Sequence, residues 1–380
     1  MTEPAYPAAR GVAGRVEAYF ARHLAAARTN GGADFAAAPD AASIEAMLDV
    51  AFWASLRREE GFSPRISVAW LSPEQAEWPL LFEWPLPLAP GPLTRLGPAV
   101  ERPGIHLGVW PRDGALRVWG MTQTVPPFCF VLEVVRPGLL VVKCRRAPAP
   151  GKYANVAVLE GDSIKVLRER APALEGCPQR VTALLGTEPP AVWTGGPNVL
   201  VDVALSMRAH GRGGTMLLVP ASAPATWRES MVAPIARVMA PPFGQLAALT
   251  RQAPDEPAAH AWREAIRAAV EEVAALTAVD GATVMTDGYE VLAFGAKIGR
   301  RDGCAPVSDV VVSEPVEGTA PQVVTIAQLG GTRHLSAAQF VHDQRDAAAL
   351  VASQDGRFTV FAWSPEEDRV HAYRVEARLL

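Results

Sequence analysis

The chain has 380 residues, of which 49% are hydrophobic and 20% charged, and a net charge of −4. That length predicts two domains, each able to bury its own core, and the balance is that of a globular protein rather than a disordered one or a basic nucleic-acid binder. No apolar run approaches the roughly 18 residues that span a bilayer, and the opening MTEPAYPAAR lacks the charged-then-apolar pattern of a secretion signal. The expectation is a cytoplasmic protein of bacterial type, by its Ala/Arg/Pro-rich composition, with no membrane segment and no nucleic-acid partner.

In chain order, GVAGRVEAYFARHLAAA predicts a helix with Val16, Phe20, His23 and Leu24 on one face. His23 there reads as a packed or surface residue rather than a ligand. The Gly/Ala/Asp-rich RTNGGADFAAAPDAAS reads as a loop. Ser43 and Glu45, followed by IEAMLDVAFWASLRREEG, predict a second helix that stops at Gly61. Glu59 and Glu60 read as its solvated end rather than as an acid–base pair.

The period then changes. RISVAWL is a strand pattern, while proline crowds residues 79–104 and predicts loop or edge structure, because proline donates no backbone hydrogen bond. IHLGVW, the turn PRDG and ALRVWG predict a hairpin around Asp113-Gly114. CFVLEVV, LLVVKCR, ANVAVLEG and DSIKVL continue as strands, and Trp70, Trp110 and Trp119 read more simply as core than as a ligand-stacking face. NVLVDVALSMRAHGRGGTMLLVP predicts a helix, a Gly-rich turn and a buried strand. The backbone amides of His210–Gly214 suit an anion or small ligand, but a tight turn before a strand is the plainer reading. Residues 1–225 are read as one α+β domain, and residues 226–254, with APPFG and RQAPDEP, as a connector.

Asp255 and Pro257 sit where a helix start prefers them, and Trp262, Ile266, Val270, Val273 and Leu276 share a face. VDGATVMTDG and YEVLAFGAKIG predict two strands around Asp287-Gly288, and APQVVTIAQLGG is a further apolar stretch. SAAQFVHDQRD predicts a short helix, and AAALVASQDGRFTVFAW a strand pair joined at Asp355-Gly356. Residues 255–380 thus form a second domain, a mixed sheet flanked by helices, in a chain that is α/β there and α+β overall. Cys129, Cys144, Cys177 and Cys304 form no CxxC pair and have no metal-like spacing with histidine, so reduced, mostly buried thiols are expected rather than a zinc site.

Three short segments at element ends carry chemistry: Asp280-Gly281-Ala282, Gly330-Gly331-Thr332-Arg333-His334 and Ser353-Gln354-Asp355-Gly356. Glycines let backbone N–H groups approach a phosphate, and a helix start behind His334 adds the positive end of a dipole. Arg333 can clamp phosphate oxygens in pairs, and Asp280 is a hard oxygen ligand suited to Mg²⁺ or Mn²⁺. Each segment alone is an ordinary polar turn. Their combination in this order points to a nucleotide-triphosphate site.

The same residues resemble the diadenylate cyclase domain, which makes cyclic di-AMP. DGA at Asp280–Ala282, GYEVLAFGAKI after it, GTRHLSAA at Gly331–Ala338 and DQRDAAALVASQDG follow that family's order over about a third of the chain. The chain departs from the pattern at Leu335, where the family has a second arginine, and at Gln354, where it has a glutamate. AFWASLRREEGF, GKYANVAVLEGDSIKVL and RAHGRGGTMLLVP resemble, more loosely, the DACNV sensor domain that precedes such cyclase domains.

The resemblance implies an enzyme that joins two ATP into cyclic di-AMP, with loss of pyrophosphate and regulation by the N-terminal domain through an unidentified ligand. It implies Asp280, Arg333 and His334 as catalytic residues, with Asp280 on Mg²⁺ or Mn²⁺. Gly281, Ala282, Gly331, Thr332, Arg333, His334, Ser336, Ser353 and Asp355 would hold the nucleotide. Each site holds one ATP, so two cyclase domains must associate face to face. Two alternatives stand beside this reading: a nucleotide-binding sensor module of the same fold with weakened catalysis, favoured by Leu335 and Gln354, and a related cyclase with a different product.

Overall fold

The structure is a computed structural model describing residues 5–29, 35–145, 153–168, 198–222, 225–252 and 259–380. Part of the loop expected after the first helix, Cys177, and the helix start expected at Asp255 and Pro257 lie outside the described residues. The chain is mixed α+β, with two mixed sheets and flanking helices, and divides into two compact units. One unit runs to Arg168 and includes Leu380. The other ends at Leu379, and its first described residue is Asn198.

In the first unit, α1 (Pro7–Thr29) and α2 (Ala41–Ser55) lie on one face of an eight-stranded sheet. Its order is β2-β4-β3-β1-β5-β6-β7-β8, with β1 (Ile66–Trp70), β2 (Leu80–Pro87), β3 (His106–Arg112), β4 (Ala115–Thr122), β5 (Phe130–Arg136), β6 (Leu139–Arg145), β7 (Tyr153–Glu160) and β8 (Ser163–Val166). β1 and β3 pair in parallel, and the other neighbours pair antiparallel. Val12, Val16 and Phe20 of α1 and Ile44, Met47 and Leu48 of α2 are buried against Phe130, Leu132 and Leu140 of the sheet. Burying each such side chain contributes about 1.5–3 kcal/mol.

Local chemistry sets the boundaries. Asp40 caps α2 by accepting from the Ser43 N–H at 2.7 Å, and hydrogen bonding from the Ser43 side chain first and then its backbone lowers the Asp40 pKa. The helix ends at Ser55, short of the expected Gly61, because the chain turns back in a Glu59–Phe62 bridge. Asp113 and Gly114 close the β3–β4 hairpin at φ of 53° and 73°, the left-handed pair a two-residue turn needs. The proline-rich stretch supplies the edge strand β2 and the short helix α3 (Pro90–Leu96). Trp70 and Trp119 are buried, and Trp110 packs against Trp70 at 5.0 Å.

In the second unit, α4 (Val199–Ala209) leads to β9 (Gly214–Val219), β10 (Val238–Phe243) and α5 (Gln245–Thr250), then to α6 (Ala259–Leu276). There follow β11 (Ala282–Thr286), β12 (Val291–Ala296), β13 (Asp309–Ser313), β14 (Gln322–Thr325), α7 (Ile326–Leu329), α8 (Thr332–Asp343), β15 (Ala348–Ala352), β16 (Phe358–Ser364) and β17 (Arg369–Arg374). The nine-stranded sheet has the order β10-β12-β11-β9-β15-β16-β17-β13-β14, with parallel pairs at β11–β9 and β13–β17. β9, β11, β15 and β16 are buried along their whole length, so alternate residues serve two cores. Met216 and Leu218 face Val203 and Met207 of α4 and Ile266 and Val273 of α6, while Leu217 and Val219 face the side that holds Phe340 and Val341 of α8.

This topology corrects the expected boundary at residue 225. GTMLLV is a central strand of the second sheet, between β11 and β15, so the helix–turn–strand at 198–219 belongs to the second unit and not to the first domain. The partners of β9 lie far along the chain, which hides the membership from a local reading. The stretch read as a connector contributes β10, an edge strand, and α5 to the same unit.

Candidate functional site

Six neighbouring strands build the floor of a cleft. One register row crosses the second sheet through Ala296, Ala282, Thr215, Val351, Thr359 and Arg374. All but Val351 line a cleft of about 750 Å³. Its walls are the three segments singled out by sequence.

The first wall follows α6. Backbone bonds from Thr277, Ala278 and Val279 to the last turn of that helix bend the chain into Asp280. Gly281 then sits at φ +103°, where a Cβ would lie 2.5 Å from the carbonyl carbon of Gly295 on β12. Only glycine lets these two backbones approach so closely. The Asp280 carboxylate is exposed at the mouth and has no cationic partner among the described residues.

The second wall is the start of α8. Gly331 occupies the cap position and has no side chain to close the helix end, so the first N–H groups and the positive end of the dipole face the cleft. Thr332, Arg333, His334 and Ser336 follow in the lining. His334 is 8% exposed, packs edge-on to Phe361 at 6.1 Å and places Nε2 3.4 Å from Thr359 Oγ1. Burial first, then the charge of Arg374, lowers its pKa, with Asp355 opposing, so the ring is held neutral. A Cβ at Gly330 would meet its Nδ1 at 2.8 Å, which explains the first glycine of the pair. The Ser336 hydroxyl is spent on the Thr332 carbonyl at 2.8 Å.

The third wall is the β15–β16 turn, in which Gly356 N–H donates to Ser353 O at 3.1 Å. Ser353, Gln354 and Asp355 all line the cleft, but two of them are engaged. Asp355 pairs with Arg357 at 3.3 Å, and Gln354 Nε2 donates to the Arg212 carbonyl at 3.4 Å.

Every site residue expected from sequence therefore lies on one cleft: Asp280, Gly281, Ala282, Gly331, Thr332, Arg333, His334, Ser336, Ser353 and Asp355. The sequence reading missed Thr215, Lys297, Arg357, Thr359 and Arg374. Thr215, Thr359 and Arg374 were recoverable only through strand register. Lys297 carries a local signal, following the Gly295 that faces Gly281. Leu335 is 43% exposed and is not among the lining residues.

The lining holds four cationic side chains, Lys297, Arg333, Arg357 and Arg374, against two carboxylates, Asp280 and Asp355. Arg357 is paired with Asp355, and Arg374 with Glu314 at 3.5 Å. Lys297 and Arg333 have no carboxylate partner among the described residues. The electrostatic surplus suits a polyanion. Among the described residues no group of three or more His, Cys, Asp or Glu is placed to hold a metal by itself. The donor set is one free carboxylate, which fits a Mg²⁺-type ion shared with a bound phosphate, as such ions are commonly held by one or two carboxylates and substrate oxygens.

The family described as "Probable sensor domain DACNV" matches residues 33–123, the stretch from before α2 through the β3–β4 hairpin of the first unit. Among solved structures, the chain is similar to a double-cysteine mutant of DacA from Staphylococcus aureus at 12% identity, covering 46% of this chain and 83% of that one, with a TM-score of 0.24. Among curated proteins none matches.

Proposed function

We propose that the second unit is a diadenylate cyclase-like nucleotidyltransferase and that the first unit regulates it as a sensor. The observation that carries this reading is the convergence of three motif segments, beginning at Asp280, Gly330 and Ser353, on one cationic cleft. The cleft volume of about 750 Å³ is in the range of pockets that enclose a nucleotide-sized ligand. The DACNV match supports the regulatory role of the first unit.

In this reaction each 3′-oxygen bonds to the α-phosphorus of the other ATP, the bond from that phosphorus to the pyrophosphate oxygen breaks, and the hydroxyl proton is released. Repeated once, the step closes a cyclic dinucleotide. Two clefts must face each other, so the unit associates with a second copy. The open N–H groups of α8, with Arg333 and Lys297, bind the triphosphate and stabilise charge as pyrophosphate leaves. The neutral His334 donates or accepts a hydrogen bond without adding charge. In this reading Asp280, which lines the cleft, would orient the attacking hydroxyl and would hold Mg²⁺ or Mn²⁺ together with phosphate oxygens. When bound, that ion supplies neutralisation of the phosphates.

The test is mass spectrometry of the products after full-length protein meets mixed ribonucleoside triphosphates with Mg²⁺ or Mn²⁺. Cyclic di-AMP from wild type, and none from Asp280→Ala, is the expected result. Tight ATP binding without any cyclic product favours the second reading, a nucleotide-binding sensor. That reading draws on the third wall, where Asp355 is held by Arg357 and Gln354 by a backbone carbonyl, leaving no free carboxylate there. A different cyclic or linear product assigns a related cyclase.

A further inference from the structure

The Gly-rich turn between α4 and β9 lies outside the cleft lining, yet it touches the roots of all three walls. Its residues run from His210 to Gly214.

His210 braces the first wall. Its Nε2 lies 3.2 Å from Thr277 Oγ1, and that hydroxyl donates its own hydrogen to Ala274 O at 2.7 Å. The hydroxyl hydrogen is therefore spent, and His210 Nε2–H must be the donor to Thr277. On the other side of the ring, Arg212 N–H donates to Nδ1 at 3.1 Å, so Nδ1 carries no proton. The two bonds together fix one neutral tautomer and tie the turn to Thr277, the residue that opens the bend into Asp280. Gly214 packs on the same residue, where a Cβ would meet Thr277 O at 2.6 Å.

The other two walls rest on Arg212 and Gly213. A Cβ on Gly213 would lie 2.9 Å from a guanidinium nitrogen of Arg333 and 3.2 Å from Ala352 O, at a φ of +69° that already favours glycine. The Arg333 side chain thus lies against bare backbone. The Arg212 carbonyl receives Gln354 Nε2 at 3.4 Å. One turn earlier, Arg208 Nε donates to Gly356 O at 3.2 Å and fastens the far end of the same β15–β16 turn.

We propose that the turn His210–Gly214 is a positioning element for the cleft, in which Gly213 sets the place of the Arg333 guanidinium and His210 sets the approach of Asp280. The proposal rests on the nucleotide reading of the site. It assigns to a segment outside the cleft the joint alignment of three walls that are distant in the chain.

The test is ATP affinity of the full chain, measured by titration calorimetry with Mg²⁺, in a double-mutant cycle. Gly213→Ala is expected to weaken ATP binding by roughly tenfold, the value of a charge-assisted hydrogen bond put out of place. In an Arg333→Ala background the same change is expected to cost much less binding, because the group it displaces is gone and only the contact with Ala352 O and the backbone strain are left. His210→Ala is expected to weaken binding roughly threefold, as for the loss of a neutral hydrogen bond. His210→Gln, which keeps a donor for Thr277, should restore most of it. Thr277→Val changes the acceptor with almost no change of shape, and covers the case in which a turn variant fails to fold. A merely structural turn would give losses that add to that of Arg333→Ala, with no recovery in His210→Gln, and that overturns the proposal. Wild-type protein that binds no ATP overturns the nucleotide reading and this proposal with it. Binding by wild type, with variants unmoved or additive, overturns this proposal alone.

Discussion

Gly281→Ala tests the geometry that holds Asp280 in place. At φ +103° an L-residue carries about 1–2 kcal/mol of backbone strain. Its Cβ would also lie 2.5 Å from Gly295 C, 2.8 Å from Gly295 O and 2.9 Å from Ala296 N, all backbone atoms of a paired strand. β11 and β12 must therefore separate by most of an ångström, an overpacking that costs about 1–3 kcal/mol. Gly295 is held by the pairing of β12 with β11 and β10 on either side. The sum is about 2–5 kcal/mol of lost stability in the second unit. Gly331→Ala is the matched control, because a Cβ at that position meets nothing within 4 Å. Its stability change is expected to stay at about 1 kcal/mol or less, the cost of alanine in place of glycine at a helix cap. Urea denaturation gives the free energies, and hydrogen exchange at the β11 and β12 amides locates the loss. A Gly281→Ala protein within about 0.5 kcal/mol of wild type would refute the close backbone approach, and with it the account of why this position is glycine.

Two further outcomes follow from charge. Lys297→Ala and Arg333→Ala should each weaken ATP binding by about tenfold, since both are free cations of the lining, yet leave adenosine binding unchanged. An equal loss for adenosine and ATP, measured by calorimetry, would show that neither side chain reads phosphate. In the first unit, His106 is fully buried between Ser67 Oγ at 2.7 Å and Tyr153 OH at 3.0 Å. Burial pushes its pKa from the ordinary 6.5 down to about 4, with Glu133 opposing and Lys143 and Arg145 assisting. The fold holds the ring neutral, so the stability it permits is whole above pH 6.5 and is lost as pH falls from there towards 4. At about 1.4 kcal/mol per pH unit the loss is roughly 3 kcal/mol. Unfolding free energy followed against pH should fall less steeply in His106→Gln than in wild type, and identical slopes would contradict the assignment.

Much of this architecture is legible because its signals are local. Asp113-Gly114 announces its hairpin, and prolines 85 and 87 place β2 at an edge, where a missing N–H costs nothing. The near-continuous apolar runs of β15 and β16 follow from burial on both faces. What is not legible is membership. GTMLLV reads equally well as a buried strand of either sheet, since its partners at Ala282–Thr286 and Ala348–Ala352 enter no local window. The same blindness hides Thr215, Thr359 and Arg374, which reach the cleft only through cross-strand register. Nor does adjacency in the chain show that Leu335, next to His334, is exposed and off the lining once α8 forms.

The direction of the strands explains why such distant segments meet. β9 and β11 run parallel and both begin at the cleft, entered through Gly213 and Gly281. β12 and β15 run against them and end there, at Lys297 and Ser353. β16 starts beside them with Thr359, and β17 returns with Arg374. Ligands of open α/β sheets usually sit beyond the carboxyl ends of parallel strands. Here the parallel pair presents its amino ends instead, and the helix start that faces the cleft is that of α8, reached through a separate hairpin and α7. Cation delivery is consequently spread over strand exits and one helix start, which is why Lys297, Arg333 and Arg374 come from three different elements. Glycines stand at both parallel strand entries, Gly213 and Gly281, where the entering chain passes close to Arg333 or to the backbone of Gly295. A site built this way is expected to fail first when a Cβ is added at a strand entry.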